Sequence, residues 1–359
     1  MRAEVVPSQA LTATTATGRV LAHDVEAFLP DGERVRLRKG RILAADDLPA
    51  LHAAARPLHL LTLDPGDLHE DAAGLRLARA VAGPGVIVGD PHESMITLRA
   101  ATRGLLRVDA ARLLDLNSVP DVSVWTLYDA QIVRERQPIA GVKATPLVTT
   151  EAAVGEAEAV AAGEPLITVR PFVPRRAGVI VREQLVASAG ERFREAITTK
   201  VRWFGSEIIE IVAPRDDGEA IIGAMRGLVA AGADMLLVAG VTSTDPLDLT
   251  VRALDAAGAR WEKRGVPAHP GSTYWLAHLG NNGDDGDVPV LGMASCGMFS
   301  RATVLDLILP RFFAGERVTA RTLAALGHGG LLNRDMAYRF PDYATELAVS
   351  GQPSAVSEE

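Results

Sequence analysis

Residues 234–258 read DMLLVAGVTSTDPLDLTVRALDAAG, and the fold class can be predicted from this segment. Residues 235–238 form a short apolar run, which predicts a buried strand of a parallel sheet. Residues 247–254 have the apolar spacing of a helix. A tight turn rich in hydroxyl groups lies between them. The stretch therefore predicts a strand, a turn and a helix, the repeating unit of an α/β sheet.

The turn itself combines capping residues with groups that bind ligands. Asp245 is a candidate N-cap followed by Pro246 at the first helical position. Asp248 falls in the first turn, where a carboxylate complements the positive end of the helix. A phosphate-bearing ligand at the end of the strand would meet free backbone N–H groups, three hydroxyls and two carboxylates. The same residue types also cap ordinary strand-to-helix connections. A purely structural turn is therefore the alternative to a ligand site.

The bulk composition is that of a globular, acidic chain. It has 359 residues, 48% of them hydrophobic and 23% charged, which predicts a principal domain with one or two smaller ones. The formal net charge is -8 and the isoelectric point is near 5.6. This balance argues against a nucleic-acid-binding surface and against a polybasic membrane patch. An anionic ligand would need a local cluster of Arg or Lys.

Cysteine use and hydropathy indicate the compartment. Cys296 is the only cysteine, which excludes an internal disulfide and a Cys-rich metal site and fits a reducing cytoplasm. The N-terminus lacks a signal-peptide pattern, and no run approaches the roughly 18 apolar residues needed to cross a bilayer. We expect a soluble, cytoplasmic protein with neither a membrane nor a nucleic acid as partner.

Four regions follow one another along the chain. We expect a mixed α+β region at 1–82, a β-rich region at 83–165, the principal α/β domain at 166–340 and a tail at 341–359. Residues 18–25 predict a short helix. His69, beside two acidic residues, is interpreted as a solvated helix start rather than a metal ligand. Lys143 lies among small residues, which predicts a flexible loop where its ammonium is solvated or meets an anion.

Strands and helices alternate regularly after residue 166. This pattern predicts a doubly wound, mostly parallel sheet, whose ligand crevice lies beyond the carboxyl ends of its strands. Three loops should meet there: those after Val181, Val238 and Leu291.

Two further segments carry small and hydroxyl-bearing residues. The third loop, residues 293–298, contains Ser295, Cys296 and Gly297; the small residues would let the backbone approach a ligand, and the thiol is a candidate soft ligand. A tightly packed turn with an inert sulfur is the alternative. Residues 269–275 place Gly271 and Ser272 before an aromatic pair, which we interpret as packing residues.

These segments, taken in order, resemble a known family. GVTSTDPLDLT at 240–250, HPGSTYWLA at 269–277 and the segment VPVLGMASCGMFSRATVLDLILPRFFAG at 288–315 are similar to the molybdopterin-binding domain of molybdopterin molybdotransferases and their relatives. GRVLAHDV at 18–25 matches a segment near the N-terminus of that family. The resemblance is good over roughly 170–330 and loose before it. It implies the molybdopterin-binding α/β fold.

Several departures from the family pattern concern the ligand contacts. The turn after residue 239 is one residue longer and has Ala239 and Thr244 where glycines are usual. HPGST at 269–273 replaces a turn flanked by two lysines, ASCG at 294–297 replaces Pro-Gly-Asn-Pro, and REQ at 182–184 replaces Thr-Gly-Asp-Glu. We also expect no counterpart of the family's small C-terminal β-domain. These departures bear on molybdate insertion more than on pterin binding.

The resemblance implies a ligand and a reaction. The family joins molybdate to the dithiolene of adenylated molybdopterin and releases AMP, with carboxylates holding a divalent cation such as Mg²⁺ on the phosphates. Asp245 and Asp248 are then the candidate catalytic and metal-binding residues. The candidate cofactor-binding residues are Gly240, Thr242, Ser243, Thr244, Gly271, Ser272, Ser295, Cys296, Gly297, Arg182, Lys200 and Arg301.

Other functions remain open from the sequence. Without the lysines, the protein would hold the finished cofactor and pass it to a client molybdoenzyme, with Cys296 close to the metal. A related domain occurs in proteins that cleave the pyrophosphate of nucleotide cofactors, which is a second alternative. A third is a non-catalytic sensor or scaffold, its pocket filled by side chains such as Trp275 or Phe299. Because the relatives are commonly dimers or trimers, we expect a homo-oligomer.

Overall fold

The computed structural model describes residues 1–241, 244–280, 286–293, 297, 299 and 302–344. The chain divides into two compact units. The first unit consists of residues 1–129 and 133–169, and the second of residues 130–132 and 170–359. No helix among the described residues is long and apolar enough to cross a membrane.

The elements of the chain up to residue 171 are short. Its helices are α1 (Ala13–Ala16), α2 (Leu48–His52), α3 (Glu70–Val81), α4 (Ala110–Asn117) and α5 (Glu151–Ala161). Its strands are β1 (Arg2–Val6), β2 (Val20–Leu21), β3 (Val25–Phe28), β4 (Arg34–Leu37), β5 (Leu58–Thr62), β6 (Asp67–His69), β7 (Val86–His92), β8 (Met95–Ala100), β9 (Gly104–Val108), β10 (Val122–Thr126), β11 (Ile132–Val133), β12 (Pro138–Ala144), β13 (Val148–Thr150) and β14 (Ile167–Pro171).

The N-terminal part of the first unit pairs its strands in the order β1-β5-β2, with β3 and β4 as a hairpin. The helix predicted over residues 18–25 is wrong. Helix α1 ends at Ala16, Gly18 takes a positive φ of 83°, and Val20 pairs with Leu61 of β5. Both Val20 and Leu21 are fully buried, so strand pairing and packing override the helical spacing of the segment.

A four-stranded sheet in the order β10-β12-β8-β7 forms the middle of the first unit. The loop predicted around Lys143 is wrong, because Lys143 lies within β12 and pairs with Ser123 of β10. The small residues of β12 serve packing rather than flexibility. A Cβ on Gly141 would lie 2.5 Å from the Trp125 ring, and Val142 is fully buried.

His69 is buried rather than solvated. Its Nδ1 accepts the N–H of Asp71 at 3.2 Å, and its Nε2 lies 2.6 Å from the carbonyl oxygen of Gly40. It therefore caps α3, which starts where the sequence predicts. Among the described residues no three His, Cys, Asp or Glu side chains are placed to hold a metal ion.

The second unit is built of longer helices around one sheet. Its helices are α6 (Ala187–Trp203), α7 (Gly218–Ala230), α8 (Leu249–Ala256), α9 (Val304–Phe313) and α10 (Ala320–Ala325). Its strands are β15 (Arg176–Val181), β16 (Glu207–Val212), β17 (Met235–Ala239), β18 (Arg260–Arg264), β19 (Trp275–Leu279) and β20 (Val288–Met293).

The sheet has six strands in the order β16-β15-β17-β20-β19-β18. The first four strands in this order are mutually parallel, and β19 and β18 are antiparallel to their neighbours. The predicted doubly wound, mostly parallel sheet is confirmed. Strands β18 and β19 are missing from the sequence-based prediction.

Both faces of this sheet are covered, which explains its continuous apolar strands. On β17, Leu237 packs with residues of α6 and α9 in one core, and Leu236 packs with residues of α7 and α8 in the other. The alternation follows from the two-residue period of a strand. The helical layers cover the faces of the sheet and not its two ends, and the predicted crevice lies at the carboxyl end.

Candidate functional site

The carboxyl ends of β15, β17 and β20 lie side by side. The N–H of Arg182, just after β15, donates to the carbonyl oxygen of Ala239 at 2.9 Å. The N–H of Gly240, just after β17, donates to the carbonyl oxygen of Met293 at 3.1 Å. The three loops predicted to meet therefore begin next to one another.

A topological switch point lies between β15 and β17. The chain leaves β15 toward β16 on one side and leaves β17 toward β18 on the other, so the two loops diverge and open a crevice. Gly240 stands at this point with a φ of +86°, and a Cβ there would lie 2.7 Å from the Cβ of Glu183 and 2.9 Å from its nitrogen. Only glycine permits so close an approach of the two loops.

The turn after β17 caps its helix differently from the prediction. Asp248, not Asp245, is the N-cap of α8, and its Oδ1 accepts the N–H groups of Thr250 at 2.7 Å and Val251 at 3.3 Å. Asp245 accepts the N–H of Leu247 at 2.8 Å instead. This short Asx turn delays the helix, which begins at Leu249.

The two carboxylates of this turn differ in exposure. Asp245 and Thr244 are exposed, and Asp248 is half-buried. The N–H of Asp248 donates to the carbonyl oxygen of Asp245 at 3.3 Å, so both residues belong to one turn. Thr242 and Ser243 lie outside the described residues.

Arg182 holds the crevice together at its β15 side. Its Nε donates to Thr250 Oγ1 at 3.3 Å, one terminal nitrogen donates to the carbonyl oxygen of Pro214 at 3.3 Å, and the other forms an ion pair with Asp216. The side chain is mostly buried. The guanidinium thus joins the start of α8 to the loop after β16, while keeping a positive charge at the carboxyl edge.

A cavity of about 530 Å³ opens beyond the carboxyl ends of β15 and β16. Arg182, Arg194 and Arg215 line it, together with Glu183 and Asp216. Three guanidinium groups make this part of an otherwise acidic chain suitable for an anionic ligand. Arg194 and Arg215 cannot be identified from the sequence, since no local motif distinguishes them from other helix and loop arginines.

Gly271 and Ser272 lie in a turn that packs on the start of α9. Gly271 has a φ of +114°, and a Cβ there would lie 2.8 Å from the Cβ of Val304. The carbonyl oxygen of Ser272 accepts the N–H of Val266 at 2.9 Å. Tyr274 and Trp275 are buried, as expected for packing residues. The glycine is thus required for packing, whatever else the turn contacts.

Lys200 lies in a buried polar cluster. Its Nζ is 2.5 Å from Asp306 Oδ1, which also accepts the Tyr343 hydroxyl at 2.8 Å. The other carboxylate oxygen accepts the N–H and the hydroxyl of Thr303, each at 2.9 Å. Burial raises the pKa of Tyr343 well above its usual range, and the Asp306 charge adds to this effect. A Thr-x-x-Asp capping pattern at 303–306 is the sequence signal for Asp306.

The third loop is only partly described. Ser295, Cys296 and Arg301 lie outside the described residues. Gly297 is helical, and a Cβ there would be 3.7 Å from the Cβ of Met293, which is ordinary contact. Phe299 is exposed rather than filling a pocket core.

Comparison with known proteins assigns the crevice to a domain class. Residues 180–314 match the family model described as "Probable molybdopterin binding domain". This part of the chain, which contains all three loops, is a domain of that family, in agreement with the resemblance of its motifs. Residues 10–54 match a model described as "Domain of unknown function (DUF8806)". No curated protein matches the chain.

Two solved structures share a remote likeness. A putative molybdenum cofactor biosynthesis protein from Corynebacterium diphtheriae is 15% identical over 41% of this chain and 100% of its own, with a TM-score of 0.28. The tungsten cofactor synthesizing protein MoaB from Pyrococcus furiosus is 15% identical over 39% of this chain and 93% of its own, with a TM-score of 0.26. At such low scores neither likeness carries an argument about this chain.

Proposed function

We propose that the second unit binds molybdopterin or a cofactor derived from it, and that the protein acts in molybdenum-cofactor biosynthesis or delivery. One observation carries the proposal: Gly240 and Glu183 come together at the switch point of a sheet whose matched family, at residues 180–314, is described as molybdopterin-binding. Ligands of such sheets bind at this kind of crevice.

The residues around the crevice fit a phosphate-bearing pterin. The guanidinium groups of Arg182, Arg194 and Arg215 can neutralise a phosphate, and the cavity they line is of ligand size. The carboxylates of Asp245 and Asp248 come from one turn. Together with ligand phosphate oxygens they suit a divalent cation such as Mg²⁺, which when bound would neutralise charge on those phosphates.

We assign the remaining contacts to the turn and the third loop. The hydroxyl-bearing residues of the turn would contact phosphate, and the small residues of the third loop would let the backbone approach the ligand. The residues assigned are Thr242, Ser243, Thr244, Ser295, Cys296, Gly297 and Arg301, with Gly271 and Ser272 at the base of the third loop. Lys200, held by Asp306, would act by positioning the start of α9 rather than by touching the ligand.

The experiment is equilibrium binding of molybdopterin, adenylated molybdopterin and the mature cofactor to the purified protein. We expect at least one of them to bind, and Asp248→Asn to weaken that binding roughly tenfold or more, about 1.4 kcal/mol. Asparagine retains the helix cap, so a loss reports on the ligand. Asp109→Asn, at the N-cap of α4 in the first unit, is the matched control and should change nothing.

The preferred ligand separates the finer alternatives. Molybdate-dependent release of AMP from adenylated molybdopterin indicates insertion, whereas tight binding of the mature cofactor indicates delivery to a client molybdoenzyme. AMP release from nucleotide cofactors without molybdate would indicate a pyrophosphatase and contradict the proposal. Failure of all three pterins to bind would also contradict it, and would leave a sensor or scaffold on the same fold. Light scattering with and without ligand tests the proposed homo-oligomer.

A further inference from the structure

A second cavity of about 310 Å³ lies at the opposite, amino edge of the six-stranded sheet. It is bounded by Asp234 before β17, Pro289 in β20, His278 in β19, Arg260 in β18 and the segment 315–318 after α9. None of these residues belongs to the crevice at the carboxyl edge. The cavity therefore offers a site that the proposed function does not use.

Strand register brings two polar side chains together on one face of the sheet. Arg260 of β18 pairs directly with His278 of β19, and His278 pairs directly with Pro289 of β20. Residues directly opposite each other on adjacent strands project to the same face. Arg260 and His278 therefore line the cavity side by side, with Pro289 as their apolar neighbour.

Three polar atoms at this site are buried without a hydrogen-bond partner among the described residues: Arg260 Nε, His278 Nδ1 and Asp287 Oδ1. His278 is only 8% exposed. Two carboxylates lie near these nitrogens but beyond hydrogen-bond distance, since Arg260 Nε is 3.8 Å from Asp287 Oδ2 and His278 Nδ1 is 3.9 Å from Glu262 Oε1. Buried polar atoms are nearly always bonded, so these three atoms are available to bond an occupant of the cavity.

The neighbouring carboxylates are already engaged. One carboxylate oxygen of Glu262 accepts a hydrogen bond from Arg260 Nη1 at 2.5 Å. The other accepts a hydrogen bond from the N–H of Ala320 at 3.0 Å. Glu316 Oε2 accepts a hydrogen bond from Arg311 Nη1 at 3.1 Å. Arg317 is exposed at the rim and forms no ion pair within the part of the chain that the structure describes. The cavity thus has guanidinium donors to spare for an anion.

We propose that this cavity binds a small phosphate monoester that also carries a hydroxyl group. Arg317 and the Nε of Arg260 would hold the phosphate, because guanidinium groups match its oxygens in geometry and charge. Asp287 Oδ1 would accept the ligand hydroxyl, and His278 Nδ1 would complete the contacts. Inorganic phosphate also carries P–OH groups at neutral pH, so the expected preference for the ester comes from its alcohol hydroxyl reaching Asp287 while its phosphate stays on the arginines.

Phosphorus NMR and calorimetric titrations of the full chain test this site, with ribose 5-phosphate, inorganic phosphate and ribose as probes. We expect ribose 5-phosphate to bind more tightly than inorganic phosphate, and ribose not to bind. Arg317→Ala should weaken ribose 5-phosphate binding about tenfold or more. Because Arg317 is exposed, this variant should fold normally. Arg226→Ala, an exposed arginine on α7, is the matched control and should bind as the wild type does.

A second variant separates the hydroxyl contact from the phosphate contact. Asp287→Ala should reduce the preference for ribose 5-phosphate over inorganic phosphate without weakening inorganic phosphate. Tighter binding of inorganic phosphate than of the ester would overturn the hydroxyl assignment, and an unchanged affinity in Arg317→Ala would overturn the site. Asp248→Asn should leave ribose 5-phosphate binding intact, so this proposal and the pterin proposal can fail separately.

Discussion

The ammonium of Lys200 lies 2.5 Å from Asp306 Oδ1, and the two side chains are 3% and 0% exposed. Asp306 also accepts the hydroxyl of Tyr343 and two donors from Thr303. One carboxylate therefore links α6, the start of α9 and the segment after α10. Removing a single partner from such a pair leaves a buried charge uncompensated, which costs far more than the intact pair contributes.

Replacement of Lys200 by methionine should lower the free energy of unfolding by about 3–5 kcal/mol, because Asp306 would keep its burial and lose its counter-ion. Urea denaturation followed by far-UV circular dichroism measures the change. Lys39→Met, at an exposed lysine of the first unit, should change stability by less than about 0.5 kcal/mol. A Lys200→Met protein of unchanged stability that no longer binds pterin would instead make Lys200 a direct ligand contact.

Gly292→Ala should be strongly destabilising. Gly292 lies in β20, and a Cβ there would be 1.7 Å from the ring of Trp275, which is fully buried. Because the indole cannot move without disturbing the core, we expect a loss of about 3 kcal/mol or more. Gly227→Ala in α7 is the matched control, since nothing lies within 4 Å of its new Cβ outside the helix backbone. That variant should gain about 0.5–1 kcal/mol from helix propensity. Similar losses in both variants would contradict the steric argument.

Asp248 should contribute to stability as well as to the proposed site. Asp248→Ala removes the acceptor for the N–H groups of Thr250 and Val251 and should cost about 0.5–2 kcal/mol. Asp248→Asn should cost far less, because asparagine caps helices equally well. Thermal unfolding of the two variants checks the difference. If alanine and asparagine destabilised equally, the carboxylate charge rather than the cap would be the stabilising feature.

The sequence predicts this sheet well where both faces of a strand are buried. Residues 235–238 are apolar on both sides, so the run reads as a central strand without tertiary information. Strand β18 is different: it contains Arg260 and Glu262, and a bulge between Trp261 and Lys263 interrupts the alternation of its side chains. No two-residue period survives there, which is why β18 was not predicted.

The site residues likewise fall into those that a local sequence pattern predicts and those that it does not. Gly240 and Asp248 lie in a local strand-turn-helix pattern, which predicts them as candidates. The choice of N-cap between Asp245 and Asp248 depends on side-chain geometry, which sequence spacing does not specify. Lys200 and Asp306 are 106 residues apart, and no local pattern joins them. Their pairing follows from the packing of α6 beside α9.

His278 should make the protein less stable in mild acid. Burial is the main cause that lowers the pKa of His278, and the charges of Arg260 and Arg317 lower it further. The charges of Glu262 and Asp287 act in the opposite direction. The unfolded chain then binds a proton more readily than the folded one. The contribution of His278 to stability is therefore fully present above the unfolded pKa of about 6.5 and is lost as the pH falls below it.

Urea unfolding at pH 7.5 and 5.5 measures this effect. We expect the wild type to lose stability at the lower pH and His278→Gln to lose less, because glutamine takes up no proton. Part of the loss should remain in the variant, since burial and the nearby His59 also lower the pKa of His23. His328→Gln, at an exposed histidine, should follow the wild type. If His278→Gln lost as much stability as the wild type between the two pH values, protonation of His278 would not be coupled to folding, and the cavity beside it would have to be open enough to solvate the imidazolium.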